Sequence, residues 1–526
     1  MLHISTPSGR WSAFAERLLA FLRADIVEMP IDGRLVRGFR SPDNPALWIR
    51  DHSDMLRAGK YFEADLKSAA DCFADAQAAN GRIYDYVITA PETWTTAREN
   101  WERWVRVPVE ADVEYRFVKT VYLAWQATGD TAWMTGLIPA CERALRYTMT
   151  HPWRWDPTHR LVKRAYTIDT WDFDYTAGRH DWLNFQVTPH TFWGLMHGDN
   201  SGLYEAMNLL ATLLDAAGRA GAAGAWREEA AGLRERANAL LFNGRFYTHF
   251  FKLTPVEIPD VDEAEQLSLS NPMDINRGMA TPAIARAILE EYRRRKESTG
   301  AFAEWFSIDP PFPKGHFGED KLVPGAYVNG GVMPLVGGEL SRAAFEHGFE
   351  SYGVDILQTY DMMTASSGET HLWYFPNGEP ASVETSTSPE AQPTDGWGSS
   401  AMLFALVEGL CGIVDWGHSF ERVRCAPRWE AAGEREATVH VAYAASGAGF
   451  GYRYLHNPEA TTLTLAMEAD DAEVELSVLL PAGAQPAAVR WAGAPVAFKA
   501  VDVAGSRYAT CRGRVQGVAE VHIAYR

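Results

Sequence analysis

From about Ser53 to Ile413 apolar residues recur at spacings of three and four, as in Val113, Phe117, Val118, Val121, Tyr122 and Trp125, or Leu203, Met207, Leu210, Leu213 and Leu214. That spacing puts them on one face of a helix. It predicts helices over 10–26, 53–79, 110–128, 131–149, 199–218, 224–242, 277–297, 338–351, 354–363 and 397–413, with shorter ones near 94–104 and 187–197. Glycine-bearing breaks, such as Gly129-Asp130 and 218–224, leave only short turns between neighbours, which favours successive antiparallel helix pairs. Three stretches, about 150–186, 299–333 and 364–396, interrupt this pattern. Long loops inside a rigid helical scaffold are where chemistry is expected. After Trp416 the period changes to alternation, over 437–443, 462–467, 473–480 and 520–525, parted by Gly, Pro, Asn and Asp. The expected architecture is mainly α, with a helical domain over 1–415 and a β-sandwich over 416–526.

Composition narrows the class. Of 526 residues, 47% are hydrophobic and 22% charged, which places the chain among folded globular proteins rather than disordered ones. A net charge of −19 gives no basic stretch for polyphosphate, so nucleic acid and anionic membranes are not expected partners. Five cysteines, Cys72, Cys141, Cys411, Cys425 and Cys511, lie far apart and form no disulfide framework, which suits a reducing, cytoplasmic setting. The start lacks a basic segment followed by an apolar one, and no apolar run approaches the ~18 residues of a membrane span. A second copy of the chain stays open as a partner.

Phosphate-loop, HExxH, GxSxG and paired-cysteine signatures are absent, and the glycines of 218–224 lie between two helices rather than after a strand. No metal and no cofactor is therefore expected, nor is there a 12-residue calcium loop. What remains is acidic and aromatic. Trp48, Arg50 and Asp51 precede a helix, where an arginine fork and a carboxylate beside an indole can grip vicinal hydroxyls or simply brace a helix entry. Asp172 lies between Trp171 and Phe173, so poor solvation would raise its pKa as a general acid requires, or it caps a nearby helix. Glu369, Glu384 and Glu390 are each open as a base by chemistry alone. The tryptophan count of 19 fits sugar-stacking surfaces or core packing.

In their order these motifs resemble the six-hairpin, (α/α)6-barrel glycoside hydrolases, in particular the trehalase and processing α-glucosidase I group, over about 41 to 415. Thr170-Trp171-Asp172-Phe173 is similar to the segment that carries their general acid, with Thr170 in place of glycine. Glu390 stands six residues before Gly396 of Gly396-Trp397-Gly398-Ser399, the spacing of their general base, with Pro389-Glu390-Ala391 in place of Gly-Glu-Tyr. Glu369 resembles an upstream sugar-contacting glutamate, Asn329-Gly330-Gly331 a glycine-rich wall, and Trp48-Ile49-Arg50-Asp51 the Trp-x-Arg-Asp clamp of glucoamylase-like barrels. The resemblance implies an inverting, exo-acting hydrolase of a small α-glucoside-type carbohydrate, with Asp172 as acid and Glu390 as base. Trp48, Arg50, Asp51, Glu114, Trp171, Asp199, Asn200, Glu369 and Trp397 would contact the sugar. His52, His190 and His197 read as loop or core residues, although as proton carriers they would suit a sugar epimerase or isomerase on the same helical barrel.

Overall fold

The computed structural model describes residues 1–40, 46–88, 103–104, 109–170, 175, 187–318, 320–386 and 392–526. Twelve α-helices occur among them: α1 (Arg10–Ala24), α2 (Ile49–Gly59), α3 (Ser68–Asp75), α4 (Val113–Thr128), α5 (Thr131–Thr150), α6 (His197–Ala216), α7 (Ala220–Leu241), α8 (Ser270–Asn276), α9 (Pro282–Ser298), α10 (Pro334–Glu346), α11 (Glu350–Ser367) and α12 (Gly396–Phe404). The last runs on into a π-helical turn, Ala405–Leu410. The helix α2 packs on α4, α4 on α6, α6 on α8, α8 on α10, α10 on α12, and α12 back on α2. That is a closed ring of six. The odd-numbered helices lie against it, each on one or two ring members.

Burial explains the two roles. The outer helix α7 buries one stripe, Ala223, Trp226, Ala230, Leu233, Ala237 and Leu241, at the spacing the sequence predicts. The ring helix α10 is buried on nearly every side, from Pro334 through Leu340 to Phe345, because it faces both its outer partners and the ring's interior. Glycine permits the close approach: a Cβ on Gly338 of α10 would come within 2.5 Å of the Cβ of Ala401 in α12.

Three helix expectations need correction. The span 53–79 is two helices, since Glu63 and Asp65 turn their carboxylates onto the backbone N–H groups of Ala64, Asp65, Lys67 and Ser68 and end the helical ladder there. The span 277–297 begins later, at Pro282, where Thr281 caps α9 through the N–H of Ile284. The stretch 187–197 is not a helix: it holds the strand Trp193–Leu195, and α6 starts at His197. Of the segment 94–104, only Arg103–Trp104 lies among the described residues, as a strand.

The alternating region forms a largely antiparallel ten-stranded sheet. Its backbone is two long strands, Thr462–Leu479 and Ser506–Tyr525, paired over most of their length with a register shift between Ala469 and Ala472. What alternation divides into two strands, 462–467 and 473–480, is thus one strand carrying an irregularity at Asp470-Asp471. Its first half pairs with Gly449–Asn457 and its second, in parallel, with Arg422–Cys425. The strand Leu2–Ser5, from the start of the chain, joins this sheet beside Glu436–Ala442. One apolar core runs through helices and sheet alike.

Candidate active site

Consecutive helices joined as hairpins alternate in direction, so the six ring helices run the same way and their entry segments collect at one end. Short strands precede several of these entries: Leu47–Trp48 before α2, Trp193–Leu195 before α6 and Leu267–Ser268 before α8. There the charged residues assemble. Arg50, in the first turn of α2, donates two parallel hydrogen bonds to Asp112, Nε to Oδ2 at 2.7 Å and Nη2 to Oδ1 at 2.8 Å, and Nη2 also reaches Glu110. This bidentate pair ties the entry of α2 to that of α4. One turn deeper, Arg116 of α4 pairs with Asp54 of α2, and Asp54 Oδ2 accepts the indole N–H of Trp397 at 2.8 Å. Trp397 is thereby locked between α12 and α2.

On the far side of the ring, Arg164 lies 3.3 Å from Asp199 at the start of α6, both fully buried. Asp169 adopts a positive φ of 51° and fastens its segment to α8: its Oδ1 accepts from Ser270 Oγ at 2.6 Å and its own N–H donates to His249 Nε2 at 2.8 Å. His197 bridges Asp274, at 2.5 Å from Nδ1, and Ser268 Oγ, at 3.0 Å from Nε2.

The electrostatics of these carboxyls diverge. Burial alone would raise Asp112, yet Arg50, with Arg116 and Arg164, holds it far below the usual carboxylate range. Asp54 is likewise opposed by burial but drawn to about 2 by Arg116, Arg57 and Lys119. In Glu114 and Asp199 burial wins, pushing them to about 7 and about 6 despite Arg154 and Arg164 respectively. Burial lowers His52 to about 4, whereas His197, although buried, is raised by Asp274 and Asp169. Carboxyls with pKa values driven apart in one place suit acid–base work.

Glu114 makes this testable. Its Oε1 accepts the N–H of Ile83 at 3.2 Å, while Oε2 is buried with no hydrogen-bond partner among the described residues. A folded pKa of about 7 against 4.5 unfolded means the folded state holds this proton more tightly. Its contribution to stability is therefore full below pH 4.5 and is lost as pH rises to about 7, at about 1.4 kcal/mol per pH unit. Glu114→Gln, which cannot ionise, should match the parent in urea unfolding at pH 4.5 and exceed it by roughly 3 kcal/mol at pH 8. A constant difference across that range would refute the buried, protonated state.

The sequence-derived residues are placed as follows. Asp172, Trp171 and Glu390 lie outside the described residues. Trp48, 9% exposed, sits 4.3 Å centroid to centroid from Tyr86, and Asp51 is half-buried beside Arg50. Glu114, Asp199 and Trp397 are buried at the ring entries. Asn200 is wholly engaged by backbone, its Oδ1 accepting from Val162 and its amide donating to Val162 and Met196. Glu369 stands at the surface, 55% exposed, 3.6 Å from His371. Glu384 is exposed as well. Sequence reasoning did not single out Glu110, Asp112, Arg164 or Asp169. A signal existed for two of them: Glu110, Asp112 and Glu114 alternate with apolar residues across the start of α4. Among the described residues no group of three or more His, Cys, Asp or Glu could hold a metal, and no helix is long and apolar enough to cross a membrane.

No family model and no curated protein matches the chain. Solved structures do. The chain resembles the α-L-rhamnosidase from Dictyoglumus thermophilum with a TM-score of 0.62 at 11% identity, over 99% of this chain and 50% of that one. It resembles the GH78 family rhamnosidase of Bacillus sp. GL1 with a TM-score of 0.59 at 16% identity, over 91% and 43%. The GH63 mannosylglycerate hydrolase from Thermus thermophilus gives 0.51 at 15% identity, over 75% and 99%. The chain spans about half the length of the rhamnosidases it matches. At these identities the likeness is one of fold, the fold of helical-barrel glycoside hydrolases, and it does not single out the trehalase group.

Proposed function

We propose that the chain is an inverting, exo-acting glycoside hydrolase built on an (α/α)6 barrel with an appended β-sandwich, removing a terminal sugar from a small oligosaccharide or glycoside. The observation that supports it most is the closed ring of six helices whose entries gather Arg50, Asp112, Glu110 and Trp397 at one end, in a fold shared with glycoside hydrolases. Asp172 is the general acid, protonating the leaving oxygen, and Glu390 the base that deprotonates water on the opposite face of the sugar. Described neighbours of both lead to the ring entries: Asp169 is fastened to α8, and Asp395 caps α12 through the N–H groups of Trp397 and Gly398. Arg50, Asp51 and Trp48 hold the terminal sugar. An α-glucoside is the substrate type favoured by the motif order, while the structural relatives add rhamnosides and mannosylglycerate to the trial.

Two of the three imidazoles named for the epimerase reading, His52 and His197, are buried and engaged within the fold, while His190 is exposed. His197 bonds Asp274 and Ser268, His52 Nδ1 accepts the N–H of Phe39, and His249 accepts that of Asp169. The test is an NMR time course with α- and β-linked disaccharides, L-rhamnosides and mannosylglycerate, following the first anomeric proton released. An inverted product supports the proposal and names the linkage. A retained anomer, or deuterium uptake from solvent into a free sugar without cleavage, overturns it.

A further inference from the structure

Below these entries the helical ring also buries a set of charged pairs. Arg116 pairs with Asp54, Arg57 with Glu339, and Arg342 with Glu408 at 3.2 Å, while Glu205 is shared by Lys119 at 3.1 Å and Arg277 at 3.8 Å. Lys60, at the end of α2, hydrogen-bonds a neutral group, Gln126 Oε1, at 2.7 Å. Arg116 Nε also lies 3.5 Å from Asp112, and the charge of Arg277 is offset by Asp274 as well as Glu205. The next carboxyl, Asp415, is occupied by the N–H groups of Gly417 and Phe420 and by the hydroxyl of Tyr443. A buried guanidinium N–H that lacks an acceptor is costly unless an anion meets it.

Arg57 locates where that anion belongs. Its Nη1 is taken by Glu339, but Nε and Nη2 are buried and have no hydrogen-bond partner among the described residues. These two N–H groups point the same way along one edge of the guanidinium, the edge with which Arg50 grips Asp112. Arg342 Nε is buried and unpartnered too, and the two guanidinium carbons each lie 5.0 Å from the ring centroid of Phe404. Lys119, Glu205 and Arg342 keep 14%, 19% and 13% of their side chains exposed, which gives a small ion an approach. We propose that the Nε/Nη2 edge of Arg57 is a binding site for a small monovalent anion of the halide class inside the helical ring. A spherical halide accepts several N–H groups without angular demand and so suits this unpartnered edge. Nothing in this inference depends on the glycosidase reading.

The test is thermal unfolding of the full chain in sodium chloride, sodium bromide and sodium gluconate at equal ionic strength. Binding to the folded state alone should raise Tm by a few degrees in the halides, saturating with concentration, and not in gluconate. Arg57→Lys keeps a cation for Glu339 but removes the two-pronged edge, and should abolish the halide increment. Should that variant not fold, bromide-soaked crystals of the parent decide alone: an anomalous peak within hydrogen-bond reach of Arg57 Nε and Nη2 confirms the site. Equal Tm in chloride and gluconate, a halide increment that survives Arg57→Lys, or bromide found only elsewhere overturns it.

Discussion

Asp172→Asn should lower kcat/KM on an unactivated glycoside by about 10²–10⁴-fold while leaving circular dichroism and Tm unchanged, the range associated with loss of a positioned general acid. A glycosyl fluoride separates the roles. Its leaving group needs no protonation, so Asp172→Asn should recover much of its rate on the fluoride, whereas Glu390→Gln should remain inactive on both substrates because no base activates water. The product anomer should stay inverted in whatever activity persists. Near-normal hydrolysis by either variant would remove that residue from the mechanism. Equal losses on glycoside and fluoride for Asp172→Asn would make it a binding rather than an acid group.

Arg50→Met should be the most damaging single change to stability at the ring entries. Arg50 is 7% exposed and is the bidentate partner of Asp112 and a partner of Glu110, both fully buried carboxylates. Removing the cation leaves Asp112 with Arg116 Nε at 3.5 Å as its near charge. Breaking a buried pair by deleting one member costs about 3–5 kcal/mol. The sign with pH follows from Asp112, whose folded pKa is depressed in the parent: its stabilisation is present above the ordinary carboxylate range and lost on acidification. In Arg50→Met that stabilisation is gone, so the gap between variant and parent should hold from pH 7 to about pH 4 and narrow below it. Adding Asp112→Asn to Arg50→Met should restore part of the lost stability, since the uncompensated charge goes with it. Urea unfolding of the four proteins of this cycle measures both effects, and strict additivity would show that the pair does not act as a unit.

Much of the secondary structure was legible because it depends on local period. The stripe of α7, the long helices α4, α5 and α6, and the change to alternation beyond Trp416 follow from spacing alone. The misplaced boundaries share a cause. At 60–67 side-chain carboxylates take backbone N–H groups, and before α9 a threonine cap and proline reset the start, signals that a hydrophobic period does not carry. The long strand through Asp470-Asp471 was read as two because a polar pair looks like a turn, although pairing on both sides carries the strand past it.

For the candidate site, Arg50 and Asp51 could be named because they stand beside an indole just before a helix, while Glu114 and Asp199 came only with the family resemblance. Asn200 looked like a neighbour of the same kind and instead ties backbone together, while Glu369 came to the surface. By itself, then, the sequence determined the long helices, the alternating strands beyond Trp416, and which loops concentrate acids and aromatics, since these follow from spacing along a few turns of chain. Which charges meet was decided only by the tertiary structure. Arg50 finds Asp112 across 62 residues and Trp397 finds Asp54 across 343, because ring closure brings the last inner helix back against the first.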